Sequence, residues 1–239
     1  MTEPAPASPR WAVYYAPAAD SPWWRFGTAW LGRDEIADRP VPQTPPPTGI
    51  DAATWTAMTA APRRYGFHAT LKAPFRLADG VTLQALQAAL EATAAGLTAL
   101  PLGPLVPTVF DGWVALTAPQ EAEALAGLGA ACVVELDALR APLSDADIAR
   151  RRPESLDARG RELLRTYGYP QVLERFRFHL TLASVEDPTD AEVIRAAAEA
   201  VVAPLNRDHP AVLDRLCLFV EPAPGGPLRR VHEVVLPRA

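Results

Sequence analysis

A two-lobed α+β fold is what this 239-residue sequence predicts, on three observations. Strand signals and helix signals alternate along the whole length. A nine-residue segment occurs twice, each copy followed by a helix signal, which is the mark of an internally repeated unit. The length and a hydrophobic fraction of 49% are enough to fill a sizeable core.

The elements follow in order. Residues 10–16 (RWAVYYA) are rich in aromatic and β-branched side chains and end before Pro17, so they read as a strand. Ser21 and Pro22 are an N-cap and first-turn proline opening a helix through residue 30. Residues 39–48 (RPVPQTPPPT) are too proline-rich for regular structure. Asp51 caps a helix to about residue 60, which Pro62 ends before a strand over 64–72. Residues 82–100 have the composition and apolar spacing of an amphipathic helix, with Leu83, Leu86, Leu90 and Leu97 on or near one face. Strands at 105–110 and 113–117 join at Asp111-Gly112, a hairpin signal. A helix over 119–139 and a polar helical region over 144–167, interrupted at Pro153, lead to a strand over 175–183. A capping box from Thr189 to Glu192 opens a helix to about residue 202, and residues 213–221 and 229–236 read as closing strands.

The repeat carries the chemistry. RYGFHATLK (64–72) laid over RFRFHLTLA (175–183) aligns Arg64 with Arg175, Tyr65 with Phe176, Phe67 with Phe178, His68 with His179, Thr70 with Thr181 and Leu71 with Leu182. Strand side chains alternate between faces, so each copy separates into an apolar stripe for a core and a polar stripe for water or a cleft. His68, Thr70 and Lys72 share the polar stripe of the first copy; Arg175, Arg177, His179 and Thr181 share that of the second. Two such strand-helix units predict lobes related by a pseudo-twofold axis, with His68 and His179 facing each other across a groove. Lys72, the single lysine beside twenty-two arginines, and Arg177 would then supply one cation from each motif for substrate binding.

Hydrolysis of a phosphodiester needs a proton taken from the attacking water and another given to the leaving oxygen. Imidazole, with a pKa near 6.5, serves both needs at neutral pH. Hydroxyls beside the imidazoles can hold the non-bridging oxygens, where charge grows in the transition state. Zinc is the main competing chemistry, but it needs three or four ligands and no Cys, Asp or Glu accompanies the pair; no metal and no cofactor are expected. His209 and His232 lie outside the repeat and read as solvent-facing. The arginines at 150–152, 159, 161 and 165 read chiefly as a solvated helical face, with contact to a phosphorylated ligand as the lesser alternative. GxxxxGK, GxSxG and GxGxxG motifs are missing.

The paired signature of His, any residue, Thr and an apolar residue resembles the two-histidine (2H) phosphoesterase superfamily, which includes cyclic nucleotide phosphodiesterases and RNA 2′,5′-ligase-like proteins. RYGFHATLKAPFRLADG, the later FRFHLTL and the early YYAPAADSPWWRFGTAWLGRD are similar, more narrowly, to a branch encoded beside bacterial phosphonate-degradation genes. The resemblance spans most of the chain. It implies one bilobal domain over residues 1–239, each lobe an antiparallel sheet with helices outside, around a central groove. It implies acid/base roles for His68 and His179, phosphate contacts for Thr70 and Thr181, metal independence, and a first strand bordering the groove, which makes Tyr14 a candidate substrate contact, with a packing role as the equal alternative.

The expected function is therefore hydrolysis of a small cyclic phosphate ester, such as a ribose cyclic phosphate, by a metal-independent phosphodiesterase. The alternatives are RNA end processing or 2′,5′ ligation, with an RNA end as partner, and a non-catalytic sensor of a phosphorylated metabolite. A formal charge of −5 disfavours wrapping of long nucleic acid. Residues 1–10 show no leader pattern, Cys132 and Cys217 read as free thiols, and no apolar run nears the roughly 20 residues that span a bilayer. A cytoplasmic protein without membrane contact is expected.

Overall fold

The computed structural model describes residues 8–110 and 112–238. In chain order the elements are β1 (Arg10–Tyr15), α1 (Pro22–Leu31), β2 (Arg33–Asp34), β3 (Arg39–Pro40), α2 (Ala52–Tyr65), β4 (Ala69–Phe75), α3 (Leu83–Ala95), β5 (Leu100–Pro101), β6 (Val106–Phe110), β7 (Trp113–Thr117), α4 (Ala122–Glu135), α5 (Asp145–Arg150), α6 (Ala158–Tyr167), β8 (Leu180–Ser184), α7 (Pro188–Asp208), β9 (Val212–Leu213), β10 (Arg215–Glu221) and β11 (Arg229–Val235). Two antiparallel sheets dominate, one in the order β11-β10-β1-β4 and the other β6-β7-β8. Both repeated motifs therefore end in edge strands, β4 in one sheet and β8 in the other. One contiguous cluster of buried side chains draws on both, including Val13, Leu71 and Phe75 from the first and Val114, Leu116, Leu180 and Leu182 from the second.

Helix starts follow the caps read from sequence. Ser21 Oγ accepts the Trp24 amide at 3.1 Å, and Asp51 Oδ1 accepts those of Ala53 and Thr54, so orphan N–H groups are satisfied locally. The hairpin from β6 to β7 is present, with Gly112 at φ +80°; its other predicted turn residue, Asp111, lies outside the described residues, as does most of the stretch 1–10 read for a leader. Pro153 interrupts the 144–167 region as expected, between α5 and α6.

Four expectations are corrected. Pro62 does not end α2. It sits in the last turns, and the Gly66 amide closes the helix on Pro62 O and Arg63 O. Arg64 and Tyr65 are consequently helical, and the first motif strand starts at Ala69 rather than residue 64. The second motif strand likewise starts at Leu180, because residues 173–175 form a short 3-10 turn and Phe176 to His179 are irregular. Finally, α7 is capped by Asp187, whose Oδ1 accepts the Thr189 and Asp190 amides, and it runs past Pro204 to Asp208. The 39–48 segment is irregular apart from Arg39 and Pro40, which form a two-residue pairing with Arg33 and Asp34.

Candidate active site

Both histidines sit in the last irregular residues before their edge strands, and both are fixed in the same way. His68 Nδ1–H donates to Gly66 O at 2.9 Å, and His179 Nδ1–H donates to Arg177 O at 2.7 Å. A carbonyl can only accept, so each bond places the ring proton on Nδ1 of the neutral imidazole and leaves Nε2 as the free nitrogen. Gly66 adopts φ +81°, ψ 176°, a region essentially confined to glycine. A Cβ there would also lie 2.8 Å from Cβ of Glu35, so the residue that aims its carbonyl at His68 has to be glycine.

The neighbouring aromatics are positioned from behind by small helical residues. A Cβ on Gly27 of α1 would fall 2.0 Å from the Phe67 ring, and one on Gly129 of α4 would fall 2.9 Å from the Phe176 ring. Each glycine lets its helix seat directly on an aromatic of one motif. His68 itself stacks on Tyr14, with ring centroids 4.0 Å apart, and on Tyr65 at 5.8 Å. Tyr14 belongs to a second, smaller buried cluster with Ala12, Cys217, Phe219 and Leu228 that forms the floor beneath the imidazole.

His68 and His179 line one groove of about 560 Å³, together with Thr70 and Thr181. Thr70 Oγ1 lies 3.3 Å from His68 Nε2. Phe110 and Trp113 stand at the His179 side, the Phe110 ring centroid 6.3 Å from that of His179. Tyr65, Tyr169, Phe176, Arg151, Arg175 and Arg177 complete the charged and aromatic lining, and no carboxylate is among the described lining residues. In a chain with a formal charge of −5, this groove is a cationic concavity.

Of the residues expected at the site, His68, His179, Thr70, Thr181 and Arg177 are brought together. Lys72 is not. Thr70 pairs with Tyr14 across β1, whereas Lys72 pairs with Val13, because a bulge at Leu71 interrupts the register. The extra residue reverses the alternation and sends Lys72 to the opposite face, where it is 3% exposed and donates to Val133 O at 3.0 Å and to Asp137 Oδ1 at 3.1 Å. Burial lowers its pKa, opposed by the nearby Asp137. Tyr14 is in place but 1% exposed; its ring supports His68 rather than offering a surface to a ligand.

Tyr65, Phe110, Trp113 and Tyr169 line the groove without a sequence signal that marks them: alternation puts Tyr65 on the apolar side, and no repeat or spacing singles out the others. Arg151 belongs to the arginine segment 150–152, and its place in the lining accords with the lesser of the two readings of that segment. His209 caps the end of α7, His232 is on β11, and neither lines the groove. Among the described residues, no three His, Cys, Asp or Glu side chains converge, both cysteines are free and buried, and no helix is long and apolar enough to cross a membrane.

Burial holds the His68 pKa down at about 4, with the Gly66 carbonyl opposing the shift and His179 adding to it. This has a measurable consequence. Between pH 6.5 and about 4 the unfolded chain protonates this histidine and the folded one does not, so stability falls as pH falls through that window, by on the order of 3 kcal/mol in total. Urea midpoints measured at pH 7 and pH 4.5 should therefore differ more in the wild type than in His68→Asn, which lacks the titrating group. Equal differences in the two proteins would show that His68 titrates normally.

Comparison with known proteins adds the following. The model of a family described as "Protein of unknown function (DUF1045)" matches residues 70–229. A protein of Janthinobacterium sp. (strain Marseille) named ribose 1,5-bisphosphate phosphokinase PhnN is 39% identical over 221 residues, covering 91% of this chain and 49% of that protein. A protein of the same name from Laribacter hongkongensis (strain HLHK9) is 40% identical over 225 residues, covering 92% of this chain and 50% of its own length. The chain thus spans about half the length of the curated relatives it matches.

Proposed function

This chain belongs to the DUF1045 family, and we propose that it is a metal-independent phosphodiesterase that opens a small cyclic phosphate ester of a sugar by two-histidine acid/base catalysis. The observation that carries the proposal is a single groove holding two tautomerically fixed imidazoles, each with a threonine two residues on, and three arginines, of which Arg175 alone has a carboxylate partner among the described residues, Asp157. Such a lining suits an anionic substrate, and paired imidazoles suit a reaction in which one proton is removed as another is delivered.

In the proposed reaction the cyclic phosphate lies between the imidazoles. His68, kept neutral by burial, accepts at Nε2 the proton of a water as the water oxygen bonds to phosphorus. The phosphorus–oxygen bond on the far side breaks, and His179, entering the step as the imidazolium with Nδ1–H still on Arg177 O, gives its Nε2 proton to the departing alkoxide; the pair ends with His68 protonated and His179 neutral. The product is a ring-opened phosphomonoester. Thr70, Thr181 and Arg177 hold the non-bridging oxygens, where charge accumulates.

The relatives' name supports a phosphorylated ribose as the substrate class, and the place in phosphonate metabolism is taken from the resemblance carried by the two motifs. Because no GxxxxGK loop occurs in this sequence, the reading leaves the phosphokinase chemistry in that name to the half of those proteins that this chain does not cover. In the proposed arrangement the two halves act on successive ribose phosphates. This reading places the protein in the cytoplasm.

The test is a panel of ribose 1,2-cyclic phosphates, 2′,3′-cyclic nucleotides and 2′,5′-linked oligonucleotides, assayed in EDTA. Turnover of a ribose cyclic phosphate is expected. Activity on the oligonucleotides alone would transfer the site to RNA end processing, and activity that appears only with added zinc or manganese would replace the mechanism with a metal-dependent one.

A further inference from the structure

The His68 end of the groove contains a cation without a carboxylate partner among the described residues. Arg151 follows α5 and lines the groove, with its guanidinium carbon 4.7 Å from the centroid of the Tyr169 ring. Nearby arginines, by contrast, each hold or share a carboxylate: Arg150 and Arg76 share Asp147, Arg10 shares Glu221 with Arg64, and Arg175 in the same groove pairs with Asp157 at 2.5 Å. Among the described residues, no carboxylate comes within ion-pairing distance of Arg151, and the charged and phenolic groups acting on it are Tyr169, Arg10, Tyr65 and Arg150.

Partial removal of a guanidinium from water without an anionic partner is costly. Stacking on a phenol ring recovers only about 0.5–2 kcal/mol. Such stacking leaves the N–H fork at the ring's margin free for a planar or tetrahedral anion, which arginine grips with two parallel hydrogen bonds. Tyr65 joins this end of the groove to the reacting centre, because it lines the same cavity and its ring lies 5.8 Å from that of His68.

We propose that Arg151, seated on Tyr169, is a second anion subsite that binds a phosphomonoester carried by the substrate at a distance from the cyclic phosphate. The inference rests on the phosphodiesterase reading above and narrows its substrate class from cyclic phosphates in general to bisphosphorylated ones. The reacting phosphate is held between the histidines and threonines, and the remote phosphate fixes the orientation of the sugar in a groove whose two motifs are otherwise nearly equivalent. Tyr169 is a positioning residue that holds the guanidinium plane.

Two measurements test this. In calorimetric titration, ribose 5-phosphate should bind the wild type, ribose should not, and Arg151→Gln should weaken binding of the phosphate at least tenfold, with Arg151→Lys in between; thermal melts confirm that the variants fold. In kinetics, a ribose cyclic phosphate bearing a 5-phosphate should exceed its unphosphorylated counterpart in kcat/KM by at least tenfold, and Arg151→Gln should remove most of that ratio. A wild type that neither binds ribose 5-phosphate nor prefers the phosphorylated ester overturns the proposal. So does an Arg151→Gln enzyme in which both substrates slow equally, since Arg151 would then serve the reacting phosphate. If no cyclic ester is turned over but ribose 5-phosphate binding still depends on Arg151, the subsite stands and the phosphodiesterase reading falls.

Discussion

Replacement of His68 or His179 by alanine is expected to reduce kcat on the true substrate by roughly 10²- to 10⁴-fold, the usual worth of a positioned general acid or base. The double mutant should be little worse than either single one, because removal of one proton-transfer partner already disables the concerted step. The two variants should differ in stability. His68 is stacked on Tyr14 and Tyr65 and its loss leaves Gly66 O without its donor, whereas His179 is exposed and is removed with little cost. His68→Asn, which keeps a donor near Gly66 O, separates folding from catalysis. The pH profile reports the role of His68: with the imidazole neutral down to about pH 4, the acid limb of kcat/KM should lie well below pH 6.5. Near wild-type turnover in either alanine variant would remove the paired mechanism.

The second large effect is expected at Glu221, far from the histidines in sequence but joined to them through the fold. Its carboxylate is buried at the end of β10, bridges Arg10 and Arg64, and accepts the Gly225 amide at 2.9 Å. Glu221→Ala leaves two partly buried guanidinium groups without their anion, at a cost of about 3–5 kcal/mol. For a chain of this size that corresponds to a fall in Tm on the order of 10 °C. Burial pushes the Glu221 pKa up, but its bonds to Arg10 and Gly225 and the nearby Arg64 outweigh burial and hold it below the ordinary carboxylate value. Its contribution is therefore present above the unfolded-state pKa and lost as pH falls through the folded one. Arg64 also donates to the Tyr65 hydroxyl at 2.9 Å, and Tyr65 flanks His68, so activity should fall together with stability. A melting temperature within a degree or two of the wild type would show that the bridge contributes little.

Arg64 shows how the repeat was legible while its roles were not. It aligns with Arg175, and in a continuous strand both would lie beside the histidines. In the structure Arg64 ends a helix and ties α2 to Glu221 and to Gly226 O, while Arg175 lines the groove and pairs with Asp157. The same residue at the same motif position does different work because the preceding segments differ, a helix in one copy and a 3-10 turn in the other. Lys72 makes the point more sharply. Simple alternation placed it with His68 and Thr70, but one bulged residue moved it into the interior beside Asp137.

What the sequence by itself determined is local and periodic: which segments are helical or extended, the caps at Ser21 and Asp51, and the two His-x-Thr pairs with the apolar residues that anchor them. These depend on backbone preference and on side chains a few positions apart, which a linear string records. Tertiary structure alone decided which cations reach the groove, where the strands begin, and that Tyr14 underlies His68. Those outcomes turn on register, on a single bulge and on the burial of charges between segments distant in sequence. Their energies come from desolvation and from partners that meet only when the chain has folded.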